Sequence, residues 1–264
     1  MNVIKRLFLL ILLTQAFLFQ AQASDIAKEK RWSDQVVDFL IDGEPHWLAD
    51  EGHSFLSIYT PESTNKPRGA VILLHGRGVH PDWPEVITPL RTSLPEEGWA
   101  TLSLQMPILS NDARDSDYIP LFPEVAGRIK AGINFLNKKG INRIIIIGHS
   151  MGATMATNYL ANTGAKEVAA LITIGISGSR PESERVLDNE ISLKKIKLPV
   201  LDIYGSDDIE IVLASAQGRA NAIAKNGNLR SKQVKIEGAN HFHKGYEPQL
   251  LKTITSWMTV VTSK

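Results

Sequence analysis

The stretch Ile144-Ile145-Ile146-Ile147-Gly148-His149-Ser150-Met151-Gly152 constrains this fold more than any other part of the chain. Four successive isoleucines leave a strand no polar face, so both of its faces must be covered, as in a parallel sheet. The strand runs directly into Gly-x-Ser-x-Gly, and Ala153-Thr154-Met155-Ala156-Thr157-Asn158-Tyr159-Leu160 then continues as a good helix. A serine on so tight a strand-to-helix turn is strained, and its neighbours two residues away must be small. Gly148 and Gly152 meet that need. The turn lifts the Ser150 hydroxyl above the sheet edge. It also aims the free N–H groups and positive dipole end of a helix at whatever the serine meets. Strand, Gly-x-Ser-x-Gly and helix together are the context of a nucleophile elbow; a glycine-flanked serine that merely caps a helix is the plainer alternative.

The rest of the chain alternates in the same manner. Ala70-Val71-Ile72-Leu73-Leu74, Trp99 to Met106, Val168 to Ile174, Val200 to Tyr204 and Lys232 to Ile236 read as strands. Helices are expected from about Pro84 to Leu94, with Pro84 in the first turn, and from about Leu121 to Asn137. Two more are expected from about Ile211 to Lys225 and from Gln249 to Val261. Ahead of them, an amphipathic segment around Trp32 to Ile41 precedes two candidate antiparallel edge strands, His46 to Ala49 and Ser54 to Tyr59. Alternating buried strands and helices imply a doubly wound, mostly parallel sheet with helices on both faces and no large cap domain. There is no internal repeat, low-complexity tract or dividing linker, so residues 24–264 read as one domain.

The first residues read as a targeting segment rather than part of that fold. Lys5-Arg6 is a short basic region, Leu7 to Phe19 an apolar run, and Ala21-Gln22-Ala23 the small-x-small pattern of a signal-peptidase site. The expected signal peptide is 1–23, with cleavage before Ser24 and a periplasmic or secreted product. The apolar run is short for a bilayer span, which disfavours an uncleaved anchor. With no cysteine anywhere, a lipid-modified cysteine, a disulfide, a thiol nucleophile and a thiolate metal site are all excluded. A net charge of +1, with Lys and Arg scattered, gives no electrostatic footprint for nucleic acid.

A serine hydroxyl needs a base to take its proton, and the base needs an acid to orient it. On this architecture the chain order is serine, acid, histidine. Downstream of Ser150 the histidines are His241 and His243, in Gly238-Ala239-Asn240-His241-Phe242-His243 just after the last strand. His241 is nearer the strand end and is favoured. The acid should follow the Val200 strand, where Gly205-Ser206-Asp207-Asp208 stands. A Gly-Ser turn needs two residues to reverse, which favours Asp208 over Asp207 and leaves Asp207 to cap the next helix; Asp202 inside the strand is a third candidate. Two amides should cradle the developing negative charge. Met151, at the helix start, offers one, and Arg77, in His75-Gly76-Arg77-Gly78, offers the other. His75 reads as a structural hydrogen-bonding residue, and His149 as packing sideways against the sheet layer.

The ordered set His75-Gly76, Gly148-His149-Ser150-Met151-Gly152, Gly205-x-x-Asp208 and Asn240-His241-Phe242 resembles the alpha/beta-hydrolase superfamily over nearly the whole expected mature chain. That resemblance implies Ser150, Asp208 and His241 as a catalytic triad. His80-Pro81-Asp82-Trp83-Pro84 and Leu94-Pro95-Glu96-Glu97-Gly98-Trp99-Ala100 further resemble an uncharacterised family of exported proteobacterial hydrolase-like proteins. The superfamily hosts many activities, so it implies no particular substrate. The usual lid position, Gly178 to Arg185, has no amphipathic helix suited to an oil interface. A small or moderately polar acyl ester is the expected small-molecule partner, with no cofactor and no metal, since no HExxH-type cluster exists. An amide or peptide hydrolase with the same triad, and a non-catalytic envelope binding protein, are the alternatives. Arg77 or Arg114 is a candidate for a substrate carboxylate or phosphate, against the plainer role of a solvated arginine.

Overall fold

Among the described residues, eight strands form one sheet. The computed structural model describes residues 24–50, 52–164, 166–179 and 185–263. The expected signal peptide lies outside these residues, as do positions 180–184 of the expected lid segment. β1 (Glu44–Asp50) and β2 (His53–Thr60) are antiparallel neighbours at one edge, and β2 runs antiparallel to β4 (Trp99–Leu104). From β4 onward the sheet is parallel, through β3 (Gly69–Leu74), β5 (Ile144–His149), β6 (Val168–Ile174), β7 (Val200–Asp207) and β8 (Lys232–Asn240).

The isoleucine run shows why this sheet needs helices on both sides. Every residue of β5 is buried, and alternate side chains enter different cores. Ile144 and Ile146 join Ala70, Ile72 and Leu74 beneath α3 (Phe122–Lys138) and α4 (Met151–Thr163). Ile145 and Ile147 join Val71 and Leu73 on the opposite face. There α2 (Ile87–Ser93) and α8 (Glu247–Thr262) supply Leu90, Leu250, Ile254 and Met258. Among the described residues the first helix, α1 (Ile26–Phe39), is capped by the Asp25 side chain, which accepts from the Lys28 amide at 2.9 Å. Its Val36 packs on Leu56 and Ile58 of β2. Among the described residues, no helix is long and apolar enough to cross a membrane.

The structure departs from the expected elements at four places. α2 begins at Ile87, so Pro84 is not in its first turn. Val86 has φ +63°, which breaks a helical ladder. Asp82 instead holds the turn together through the Thr88 hydroxyl at 2.9 Å and the buried Arg91 guanidinium at 2.7 Å. The charged segment after β6 contains a helix, α5 (Asn189–Lys195), whose first turn is capped by Asp188 at 2.9 Å from the Ile191 amide. The expected helix from Ile211 is two pieces, α6 (Glu210–Ala214) and α7 (Ala216–Ala224), broken where the Ser215 hydroxyl bonds back to the Ile211 carbonyl at 2.6 Å. β7 and β8 both run past their expected ends and stay paired to Asp207↔Asn240, which brings the segments that follow them side by side.

Candidate active site

The turn from β5 into α4 carries Ser150 at φ +54°, ψ −120°, a region that L side chains rarely occupy. Its amide donates to the Ile174 carbonyl at 2.8 Å, which fixes the turn to the next strand. A β-carbon on Gly152 would collide with the main-chain carbonyls of Leu74 and His75, so only glycine lets α4 pack this close to β3. Met151 is the first residue of α4, and its amide has no carbonyl one turn earlier in the helix to bind.

The acid and base positions meet across the extended ends of β7 and β8. Asp208 Oδ1 lies 2.6 Å from His241 Nδ1. The same carboxylate accepts from the Ile209 amide at 2.8 Å and from Gly205 at 3.4 Å. Burial alone pushes the Asp208 carboxyl up. The hydrogen bond and charge of His241, with the two amides, outweigh it and hold the group below its ordinary value. Of the three candidate acids, Asp208 is therefore the one bonded to His241. Asp202 is fully buried in a different cluster: Arg219 Nε donates to it at 2.9 Å, Thr173 Oγ1 at 2.9 Å and Gln233 Nε2 at 2.8 Å. Asp207 does not cap the next helix as expected. It ends β7 and accepts from the Ser206 hydroxyl at 3.0 Å, while Ile209 occupies the cap position of α6 without a side-chain bond.

Ser150, His241, Met151 and Arg77 line one cavity of about 350 Å³. Asp208 stands behind His241, its side chain fully buried. Val79, Trp83, Ile209, Val212 and Phe242 give this cavity apolar walls, and Asp115 and Ser177 add polar ones. Gly175, at φ +60°, makes room for the base: a β-carbon there would sit 2.9 Å from the His241 ring.

The other histidines divide by their surroundings. His75 is buried; its Nδ1–H donates to the Gly76 carbonyl at 2.8 Å, and its Nε2 accepts from the Met106 amide at 2.9 Å. Burial pushes it down to about 3, so it is a neutral brace beneath the Gly76-Arg77 loop. His149 does more than pack against the sheet. Its Nε2 donates to the His241 carbonyl at 3.0 Å, its ring lies 5.0 Å from that of His241, and burial pushes it down to about 3. His243 is fully buried with φ +50°, and it lines a different recess.

Residues that the sequence reading left out support the site from α1. Trp32 packs 4.5 Å from the His80 ring and 5.8 Å from Trp83. Lys28 Nζ reaches the Leu109 carbonyl at 2.9 Å and Asn111 Oδ1 at 2.7 Å. The periodicity of α1 marks it as amphipathic, yet nothing local tells which loop it covers.

Neither arginine considered as an anion receptor stands alone. Arg77 pairs with Asp115 at 2.9 Å and with the Ala113 carbonyl at 3.1 Å, and Arg114 pairs with Asp117 at 3.3 Å. Among the described residues Glu29, His53 and Glu124 come together as potential metal ligands. Arg128, fully buried, pairs with both carboxylates and already supplies the positive charge that a cation would bring.

Against known proteins, the family described as "Protein of unknown function (DUF3530)" matches residues 20–119 and 121–260. No curated protein matches the sequence. Solved alpha/beta-hydrolase structures share the fold. Est1E from Butyrivibrio proteoclasticus aligns at 19% identity and a TM-score of 0.66, over 84% of this chain and 100% of that one. The Pyrococcus furiosus esterase Pf2001 aligns at 18% identity and 0.65, over 86% and 96%. Dienelactone hydrolase from Anabaena variabilis aligns at 17% and 0.62, over 83% and 98%. At these identities the likeness is one of fold.

Proposed function

This chain belongs to the family described as "Protein of unknown function (DUF3530)", and on the geometry of its site we propose that it is a serine hydrolase of the carboxylesterase type. The observation that carries the reading is the 2.6 Å bond between Asp208 and His241, with His241 sharing the cavity of a strained, elbow-borne Ser150. A binding protein has no need of a buried carboxylate holding one imidazole nitrogen while the ring lines a pocket with a serine. The fold shared with several esterases supports the same reading.

In this mechanism Asp208 accepts from the Nδ1–H of His241, which leaves Nε2 free to take the Ser150 proton. Ser150 Oγ bonds to the acyl carbon and the carbonyl π pair moves to oxygen, where the Met151 and Arg77 amides receive the negative charge. The tetrahedral species collapses with loss of the alcohol, which leaves with the proton from His241. Water, deprotonated by the same imidazole, then releases the acid and frees Ser150.

A cavity of about 350 Å³ with mixed walls suits a small or moderately polar acyl ester. The Arg77–Asp115 pair keeps the mouth near neutrality, which disfavours selection for an anionic substrate. For maturation, we propose cleavage before Ser24 and a periplasmic protein. Cleavage there leaves intact the contacts of Ser24 with Glu124 at 3.0 Å and of the Asp25 amide with Ile108 at 2.7 Å.

A fluorophosphonate probe tests the chemistry directly. It should label the purified protein, and Ser150→Ala should remove the label. A panel of p-nitrophenyl esters and peptide amides then separates esterase from amidase. Failure of the wild-type protein both to label and to hydrolyse any ester would overturn the reading.

A further inference from the structure

Phe242 is a wall shared by two cavities. One is the candidate catalytic pocket of about 350 Å³. The other is a recess of about 190 Å³, lined also by Val86, Leu90, Leu250, Leu251, His243 and Glu247. The second is largely apolar, because α2 and α8 turn aliphatic side chains into it from the core on that face of the sheet. Its size is useful: an apolar cavity of about 150 Å³ is enough to hold benzene.

The main chain at this partition is pinned, and the side chain is not. Asn240 Oδ1 accepts from the Phe242 amide at 3.0 Å, and the His243 amide donates to the Asn240 carbonyl at 3.0 Å. The phenyl ring itself rests edge-on against His241 at 5.2 Å and tilted against His149 at 5.9 Å. It keeps 43% of its surface exposed, so only packing on one side fixes its rotamer. The loop that positions the base therefore stays put when the ring turns or is removed.

We propose that Phe242 is the specificity-determining residue that limits the length of the substrate's apolar chain, and that the recess behind it receives a longer chain once the ring is displaced or truncated. The inference rests on the reading of Ser150 and His241 as an ester-hydrolysing site. Each methylene that passes from water into the recess is worth about fourfold in kcat/KM. Three or four of them therefore amount to about 60- to 250-fold, before any loss to imperfect fit.

The test compares wild type with Phe242→Ala on two pairs of esters. p-Nitrophenyl octanoate against butyrate varies the acyl side, and octyl against butyl acetate varies the alcohol side. Phe242→Ala should raise the long-to-short kcat/KM ratio at least tenfold in one pair, and the pair that responds identifies which half of the ester enters the recess. Leu251→Trp added to Phe242→Ala should refill the recess and return the ratio to its original value. Phe242→Leu should give an intermediate ratio and serves if the alanine variant folds poorly. Labelling of Ser150 by the fluorophosphonate, with both ratios unchanged within about twofold, would overturn the inference alone. A wild-type protein that neither labels nor turns over any ester would overturn the functional reading and the inference with it.

Discussion

His149 Nε2 donates a hydrogen bond to the main-chain carbonyl of His241 at 3.0 Å, so the residue just before the elbow serine holds the residue proposed as its base. The two are 92 positions apart in sequence. A carbonyl can only accept, which fixes the proton of the neutral His149 ring on Nε2. Burial keeps that ring neutral down to about pH 3. The contact ties β5 to the loop after β8 and makes the position of His241 depend on the elbow itself.

His149 is accordingly a positioning residue. His149→Phe keeps a ring in the same space and leaves the His241 carbonyl without its donor, a loss of about 1–3 kcal/mol. If that loss falls on the reacting geometry, kcat drops about 5- to 150-fold while KM changes little, and His149→Gln, which can still donate, recovers part of it. Steady-state kinetics of the three proteins check this. Equal kcat in wild type and the phenylalanine variant would show that the base is held by other contacts.

Ser150 pays for its exposure above the sheet with a left-handed backbone angle. Ser150→Gly should abolish ester hydrolysis and fluorophosphonate labelling. The same variant should raise stability by about 1 kcal/mol, because glycine accepts φ +54° without strain. Ser150→Ala should lose the label equally but keep the strain. Thermal denaturation of the two variants side by side separates backbone relief from loss of the hydroxyl; no gain in Tm for glycine over alanine would count against stored strain.

The three aspartates should respond in three different ways. Asp208→Asn leaves the shape but removes the charge that orients His241, and by the precedent of the serine-protease triad activity should fall about 10,000-fold. Asp207→Asn, at an exposed carboxylate bonded to Ser206, should stay within about threefold. Asp202→Asn strips the buried Arg219 of its partner and should destabilise the fold by about 3–5 kcal/mol. Kinetics and urea denaturation of each variant read the pattern directly. A Asp207→Asn loss as large as that of Asp208→Asn would remove Asp208 from its proposed role.

Stability should fall with acid, and the histidines set the window. Burial pushes His75 and His149 from 6.5 down to about 3, and His243 down to about 4. Below pH 6.5 the unfolded chain takes up protons that the folded protein refuses, so stability rises with pH through this range. The contribution is fully present above pH 6.5 and is lost as pH falls toward about 3 for His75 and His149, and toward about 4 for His243. Each such histidine adds a slope of up to about 1.4 kcal/mol per pH unit. Among the described residues, neither ring nitrogen of His243 has a hydrogen-bond partner. His243→Phe should therefore flatten the urea-midpoint curve between pH 6.5 and 4.5. Parallel curves for variant and wild type would mean that His243 takes up its proton in the folded state.

Much of the fold is legible along the chain because its signals are local. Four adjacent isoleucines dictate a strand covered on both faces, and Gly148 and Gly152 around Ser150 dictate a turn that only small neighbours permit. The strand–helix alternation then leaves a parallel, doubly wound sheet as the economical way to bury those strands, which is the arrangement found. What tertiary structure decided is which distant groups meet. Whether Asp207 or Asp208 faces His241 depends on how far β7 and β8 remain paired beyond Tyr204 and Ile236, a register set between strands. The bond from His149 to the His241 carbonyl, the covering of the His80–Trp83 loop by Trp32, and the placing of Phe242 between two cavities have the same origin. Hydrophobic period and turn chemistry act over a few residues and are written in order along the chain. A hydrogen bond or ring contact spanning tens of residues exists only after the layers have packed, so no local pattern encodes it.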